Sequence, residues 1–109
     1  MQARIMYIER KRDEDGDCGP ARIGRVSFSK TGKTIYYQGK SFARSGGQGI
    51  RGNYYDEETR EEYWISGPHK DGADRLFGER VPVEIDEDVR EEYWLTIRNC
   101  PQQIKDRIF

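Results

Sequence analysis

Strand-favouring side chains dominate the apolar content of this 109-residue chain. Ile, Val and Tyr together number 21, whereas Leu and Ala together number only 6. Branched and aromatic side chains fit the pleated, half-buried surface of a sheet, while Ala and Leu favour helices. Twelve glycines spread along the chain are typical of a fold with many turns. The sequence therefore predicts one mainly β (α+β) domain, either a small bent sheet or an SH3-like barrel of five to six strands.

The clearest local pattern is a β-hairpin in the first half of the chain. Two strand-like runs, 23–29 and 34–38, flank the glycine-containing turn 30–33. The charged stretch 10–20 before it predicts a mobile loop, because so polar a run cannot pack inside. The glycine-rich stretch 45–52 lacks the Lys-Ser/Thr ending of a phosphate-binding loop and predicts an ordinary loop. Further strands are predicted at 4–9, 41–44, 50–55, 62–66 and 81–85.

One C-terminal helix is predicted over about 87–98. Val89, Tyr93 and Ile97 stand four residues apart, so they share one helical face. The helix and the strands are expected to enclose one core, formed by Val26, Phe28, Ile35, Trp64, Val83, Val89, Tyr93 and Ile97.

Two details of this C-terminal region are open at the sequence level. Either Asp86 or Asp88 can cap the helix, and Asp88 has a capping-box partner, Glu91, three residues on. The tail 101–109 carries three apolar residues, and both a loose helical continuation and a frayed end fit it.

Ten residues occur twice, as DEETREEYWI at 56–65 and DEDVREEYWL at 86–95, with seven identical positions. The first copy ends in contiguous apolar residues followed by Ser-Gly-Pro, which predicts a strand. The second copy has helical spacing of apolar residues before and after it. The same string is therefore expected to form a strand once and a helix once.

Composition excludes several classes of protein. Although 36% of the residues are charged, 19 basic and 20 acidic side chains nearly cancel, which argues against disorder. No apolar run approaches the roughly 20 residues of a membrane span, and no signal-peptide pattern is present. We therefore expect a cytoplasmic protein with free thiols at Cys18 and Cys100. One histidine and two distant cysteines make a poor metal set, so neither a metal nor a cofactor is predicted.

Three segments carry a resemblance to a family: 22–37 (RIGRVSFSKTGKTIYY), 63–75 (YWISGPHKDGADR) and 83–94 (VEIDEDVREEYW). They resemble a group of small bacterial proteins, and the similarity extends from Ile5 to Arg98. Proteins of this group are often named 1-deoxy-D-xylulose-5-phosphate synthase. That synthase is a much longer thiamine-diphosphate enzyme whose Gly-Asp-Gly motif helps to hold a metal ion, whereas here Gly-Asp is followed by Cys18. The resemblance therefore implies no established activity.

Charge and loop composition indicate a non-catalytic binding module for a protein partner. Residues 1–52 have a net charge of +6 and residues 53–109 of −7, so the two halves either form separate faces or interleave in space. The polar loop 66–75 is the predicted contact surface. A hydrolase built on Ser66 and His69 would lack a recognisable oxyanion or metal partner. The predicted partner-binding residues are His69, Lys70, Asp71, Asp74 and Arg75.

Single-stranded nucleic acid is the alternative partner. Aromatic and basic residues interleave along the hairpin region 22–44, as in barrels that stack bases and hold phosphates. A sequence pI of about 5.9 argues against this alternative. Its predicted contacts are Arg25, Lys30, Lys33, Tyr36, Tyr37, Lys40 and Arg44.

Overall fold

The fold is seen in a computed structural model that describes residues 3–11, 18–44, 52–72 and 83–109, with the backbone alone for Cys18 and Gly19. Six antiparallel strands follow one another along the chain, and the sixth pairs with the first, which closes a barrel. A seventh strand is added beside the second. The strands are β1 (Ala3–Lys11), β2 (Cys18–Phe28), β3 (Thr34–Tyr37), β4 (Lys40–Arg44), β5 (Tyr54–Asp56), β6 (Glu62–Ser66) and β7 (Val83–Ile85).

These elements confirm the prediction of a mainly β domain with one C-terminal helix. The predicted hairpin is present as β2 and β3, and the segment 62–66 pairs with 54–56. The predicted loop 10–20 is too long, because β1 continues to Lys11 and β2 begins at Cys18. Its centre, 12–17, and the glycine-rich residues 45–51 lie outside the described residues.

Strand β2 organises the sheet because two strands share one of its edges. Its other edge pairs with β1 over most of its length. On the shared edge, β3 pairs with Ser27 and Phe28, and β7 runs parallel to residues 21–23. Strands β3 and β7 therefore lie end to end along β2, and the junction between them falls near Gly24.

The barrel interior is filled by side chains that alternate along each strand. Met6 and Ile8 of β1 point inward, and Phe42 of β4 meets Tyr63 of β6 edge to face at 4.6 Å between ring centroids. The complete interior cluster consists of Met6, Ile8, Val26, Ile35, Tyr37, Phe42, Tyr54, Tyr63 and Ile65, with Phe28 packed against it.

A second core lies outside the barrel, under the C-terminal helix. The other face of β1 contributes Ile5 and Tyr7, so this strand is buried on both sides. The expectation of a single core is wrong, because the helix covers the outer face of the sheet. This outer cluster consists of Ile5, Tyr7, Ala21, Ile23, Val83, Ile85, Val89, Tyr93 and Trp94, with Trp64 and Ile97 partly buried against it.

The C-terminal helix is continuous but changes its winding. A 3₁₀ turn (Glu87–Val89) is followed by an α turn (Arg90–Glu92) and a π turn (Tyr93–Ile97). In the π turn, the Arg98 N–H donates to the Tyr93 carbonyl at 2.9 Å. Widening the helix here fits the burial of two consecutive large residues, Tyr93 and Trp94, both 0% exposed.

The start and the end of this region differ from the predictions. Asp86 occupies the N-cap position without making a side-chain cap, and Asp88 lies inside the first turn, so the predicted capping box is wrong. The tail does not fray, and it begins with a short 3₁₀ helix of its own (Pro101–Gln103) before it turns back to β7. The N–H of Val83 donates to the Phe109 carbonyl at 3.0 Å, and the bond is reciprocated, because β7 has an unpaired edge. The tail thus pairs with β7 and places the Phe109 ring against Tyr93.

Candidate functional site

The predicted partner loop forms a tight turn at its described end. The Gly72 N–H donates to the His69 carbonyl at 3.2 Å, and Gly72 has a positive φ of 79° that favours glycine. His69, Lys70 and Asp71 form its exposed tip. Asp74 and Arg75 lie outside the described residues.

The base of this turn rests on a guanidinium stacked over the outer core. A Cβ at Gly72 would come within 2.5 Å of Arg98 Nη1, so the contact requires glycine. The Arg98 guanidinium carbon lies 4.9 Å from the Trp94 ring centroid and 5.0 Å from that of Phe109. Arg98 also donates to the Tyr93 hydroxyl at 3.1 Å. The turn 69–72 is therefore anchored at its base and exposed at its tip.

The basic residues of the hairpin region are divided between the two ends of the barrel. Lys30 and Lys33 lie in the β2–β3 turn, and Arg44 ends β4 at the same end, because neighbouring strands are antiparallel. We call these three exposed residues the basic rim. Lys40 begins β4 at the opposite end, 4.0 Å from the Asp56 carboxylate.

The remaining hairpin candidates occupy two different faces. Tyr36 is 39% exposed on the outer surface of the barrel. Arg25 lies on the outer surface of β2, where its guanidinium meets Glu92 of the helix at 2.9 Å. Tyr37 points into the barrel and is 7% exposed, which prevents base stacking on its ring. The structure thus does not bring all seven candidates onto one surface.

The ion pairs show how the two charge halves are arranged. Of the six ion pairs among the described residues, only Lys11–Glu9 lies within one half. The others join the basic half to the acidic half, so the halves interleave and neutralise part of the hairpin. They are Arg10–Glu61, Arg22–Glu84, Arg22–Asp86, Arg25–Glu92 and Lys40–Asp56.

A buried carboxylate, Asp86, lies at the junction of β3 and β7. Arg22 donates to Asp86 Oδ1 through Nε at 2.7 Å, and the Tyr37 hydroxyl donates to Oδ2 at 2.5 Å. The same guanidinium reaches Glu84 at 2.5 Å. Gln38 adds a long contact of 3.5 Å. Because both carboxylate oxygens accept hydrogen bonds, this cluster ties β7 to the barrel.

Gly24 makes room for the cluster. A Cβ there would come within 2.5 Å of both Asp86 Oδ2 and Tyr37 Cε1. Burial, together with the hydrogen bond to the Asp86 carboxylate, raises the pKa of Tyr37 above its ordinary value of 10.0. The phenol is therefore a neutral donor at physiological pH.

A second buried polar cluster lies on the outer face of β1. Lys11 Nζ is 2.7 Å from Glu9 Oε2, and the Tyr7 hydroxyl donates to the other oxygen of Glu9. Glu9 is 2% exposed and Lys11 is 4% exposed. A buried pair of this kind requires that both charges find partners, which they do here.

Sequence reasoning missed the Asp86 cluster because its members are far apart in the chain. Arg22 and Asp86 are separated by 64 positions and Tyr37 and Asp86 by 49. Gly24 within a strand pattern was the one local signal, because an interior strand glycine often marks a close approach.

Metal ligation, membrane insertion and similarity to known proteins could each indicate a function. In the described ranges, no three His, Cys, Asp or Glu side chains are grouped as metal ligands. No helix in that part of the chain is both long and apolar enough to cross a membrane. Comparison with protein-family models, with curated proteins and with solved structures finds no match.

Proposed function

We propose that the protein is a non-catalytic binding module that recognises a protein partner through the turn 69–72. The observation that carries the proposal is the contrast between the exposed tip of this turn and its anchored base. A contact surface already held in one conformation loses little conformational entropy on binding. Lys70 and Asp71 present opposite charges side by side, which favours selection among partners by charge complementarity.

The two buried clusters support a role without catalysis. Each cluster contains a carboxylate that is held by two donors within the fold. Asp86 accepts hydrogen bonds from Tyr37 and Arg22. Glu9 accepts hydrogen bonds from Tyr7 and Lys11. A general acid or base must come within hydrogen-bond distance of a substrate proton. A carboxylate whose two oxygens are already hydrogen-bonded inside the fold is poorly placed to do so. We further propose a cytoplasmic location, where the free, half-buried Cys100 thiol would stay reduced.

Crosslinking from the turn tests the protein partner. A photo-crosslinking amino acid replaces Lys70 in one variant and the exposed Thr59, in the β5–β6 turn, in the control. In an extract of the cells that make the protein, we expect a discrete protein adduct from position 70 alone, unaffected by nuclease. Unlabelled wild-type protein should suppress the adduct, and the Asp71→Lys variant should not. Equal adducts from both positions would contradict the proposal.

Nucleic acid remains the second candidate because of the basic rim. Lys30, Lys33 and Arg44 have no carboxylate partner in the part of the chain that the structure describes, and Tyr36 is exposed on the adjoining strand. Fluorescence anisotropy with labelled poly-dT and poly-U at low salt tests this candidate. We expect no binding at tens of micromolar protein. A tight curve that weakens steeply with salt, and flattens in Lys30→Gln, would instead favour nucleic acid.

A further inference from the structure

A groove of about 600 Å³ runs between β7, the start of the C-terminal helix and the tail. No residue of the turn 69–72 or of the basic rim lines it. Four of its lining side chains are basic and two are acidic, so its walls carry a net positive charge of 2. A volume of this size lies within the range of about 300–1,000 Å³ typical of small-molecule sites.

The pairing of the charges leaves three cations for a ligand. Arg22 is already held by two carboxylates, and the groove residue Asp106 has Gln103 Nε2 within 3.4 Å. Arg90, Lys105 and Arg107 have no carboxylate partner in the four described ranges. They come from two elements, the helix and the tail, which the pairing of the tail with β7 brings together.

The Arg90 guanidinium is held in one direction by the backbone and has one donor without an acceptor among the described residues. One of its terminal nitrogens donates to the Ile85 carbonyl at 3.0 Å, which fixes the direction of the guanidinium. Its Nε–H is buried and has no acceptor among the described residues. Buried donors without an acceptor are rare in folded proteins, so the Arg90 guanidinium at the wall of the groove keeps a hydrogen-bond donor that the fold does not use.

We propose that this groove binds the phosphate group of a small, soluble phosphate ester. A phosphate monoester carries nearly two negative charges and three acceptor oxygens, which matches three separate cationic side chains better than a carboxylate does. Arginine suits this role because its planar fork donates two parallel hydrogen bonds. The half-exposed Ile108 supplies an apolar wall for the organic part of the ester.

The test is an NMR titration of the full chain at constant ionic strength. The probes are inorganic phosphate and glycerol phosphate. We expect saturable shifts confined to the groove residues, a shift of the Arg90 Nε–H signal, and a dissociation constant below about 1 mM for glycerol phosphate. The double variant Lys105→Gln/Arg107→Gln should bind at least about tenfold more weakly, since the loss of even one charge-assisted hydrogen bond weakens binding by about that factor.

The matched control is Lys30→Gln/Lys33→Gln, which removes the same charge from the basic rim and should leave the affinity unchanged. Equal weakening in both double variants, or shifts spread over all basic surfaces, would overturn the proposal. So would binding to vesicles that contain phosphatidic acid without binding to the soluble ester. Arg90→Lys keeps the charge and removes the guanidinium donors, and unchanged affinity in this variant would contradict the role proposed for Arg90.

Discussion

Removing the Asp86 carboxylate should reveal how strongly the junction of β3 and β7 depends on it. In Asp86→Ala, the Tyr37 hydroxyl loses its acceptor inside the barrel, where the residue is 7% exposed. Arg22 loses one of its two carboxylate partners and keeps Glu84. Strand β7 would then be held by its backbone pairing with β2, by the Arg22–Glu84 ion pair and by the burial of its apolar side chains in the outer core.

The magnitude follows from the exposure of the two donors. An orphaned, buried hydroxyl costs about 1–3 kcal/mol. The Arg22 side chain is 41% exposed, so water replaces much of what it loses, and its share is below about 1 kcal/mol. We expect Asp86→Ala to lower the free energy of unfolding by about 1–4 kcal/mol, a substantial part of the 5–15 kcal/mol that typically stabilises a domain. Tyr37→Phe alone should lower it by about 1 kcal/mol.

A double-mutant cycle in urea, followed by the fluorescence of the buried Trp94, measures both effects. Tyr37→Phe removes the orphaned hydroxyl, so the double variant should be less destabilised than the sum of the single variants by at least about 1 kcal/mol. Asp88→Ala is the matched control, because Asp88 is an exposed carboxylate in the same helical turn. It should cost less than about 1 kcal/mol. Equal losses in Asp86→Ala and Asp88→Ala, or strict additivity in the cycle, would refute this reasoning.

Three further outcomes are expected from calorimetry or urea unfolding. Tyr93→Ala should destabilise by about 3–5 kcal/mol because its side chain is 0% exposed, whereas Leu95→Ala, at a 39% exposed position, should change little. Gly24→Ala should lower the free energy of unfolding by about 1–3 kcal/mol, because the added Cβ would overlap the Asp86 carboxylate and the Tyr37 ring. An unchanged free energy of unfolding would contradict this close contact. The raised pKa of Tyr37 implies that its contribution is complete below pH 10.0 and is lost as the pH rises beyond it. Wild-type protein should therefore lose more stability than Tyr37→Phe above that pH, and the control Tyr36→Phe should follow the wild type.

The strands and the main hairpin could be predicted from the sequence because their signals are local. Alternating apolar residues around a glycine-containing turn determine a pair of strands without help from distant residues. The repeated string shows where this local information ends. The seven identical positions form the end of β5, a turn and β6 in the first copy, and a helix in the second. Tyr63 and Trp64 accordingly point to opposite sides of a strand, while Tyr93 and Trp94 are buried together on a helix.

The surroundings of each copy decide between these outcomes. Asp56 of the first copy accepts hydrogen bonds from two backbone N–H groups of its own turn, at Glu58 and Thr59, and so shapes a hairpin. Asp86 of the second copy binds Arg22 and Tyr37, which come from other strands. Identical carboxylates thus serve local structure in one place and tertiary structure in the other.

The two candidate sites also differ in whether the sequence alone could reveal them. Sequence alone identified the turn with His69 and Lys70 as an exposed polar surface, because a run of turn-forming residues cannot be buried. It did not identify the cationic groove, whose Arg90 and Lys105 are joined only when the tail pairs with β7. That pairing depends on which sheet edge remains open after the barrel has closed. Composition and periodicity determine which segments become strands, but the choice of neighbour at a free edge is a property of the assembled fold.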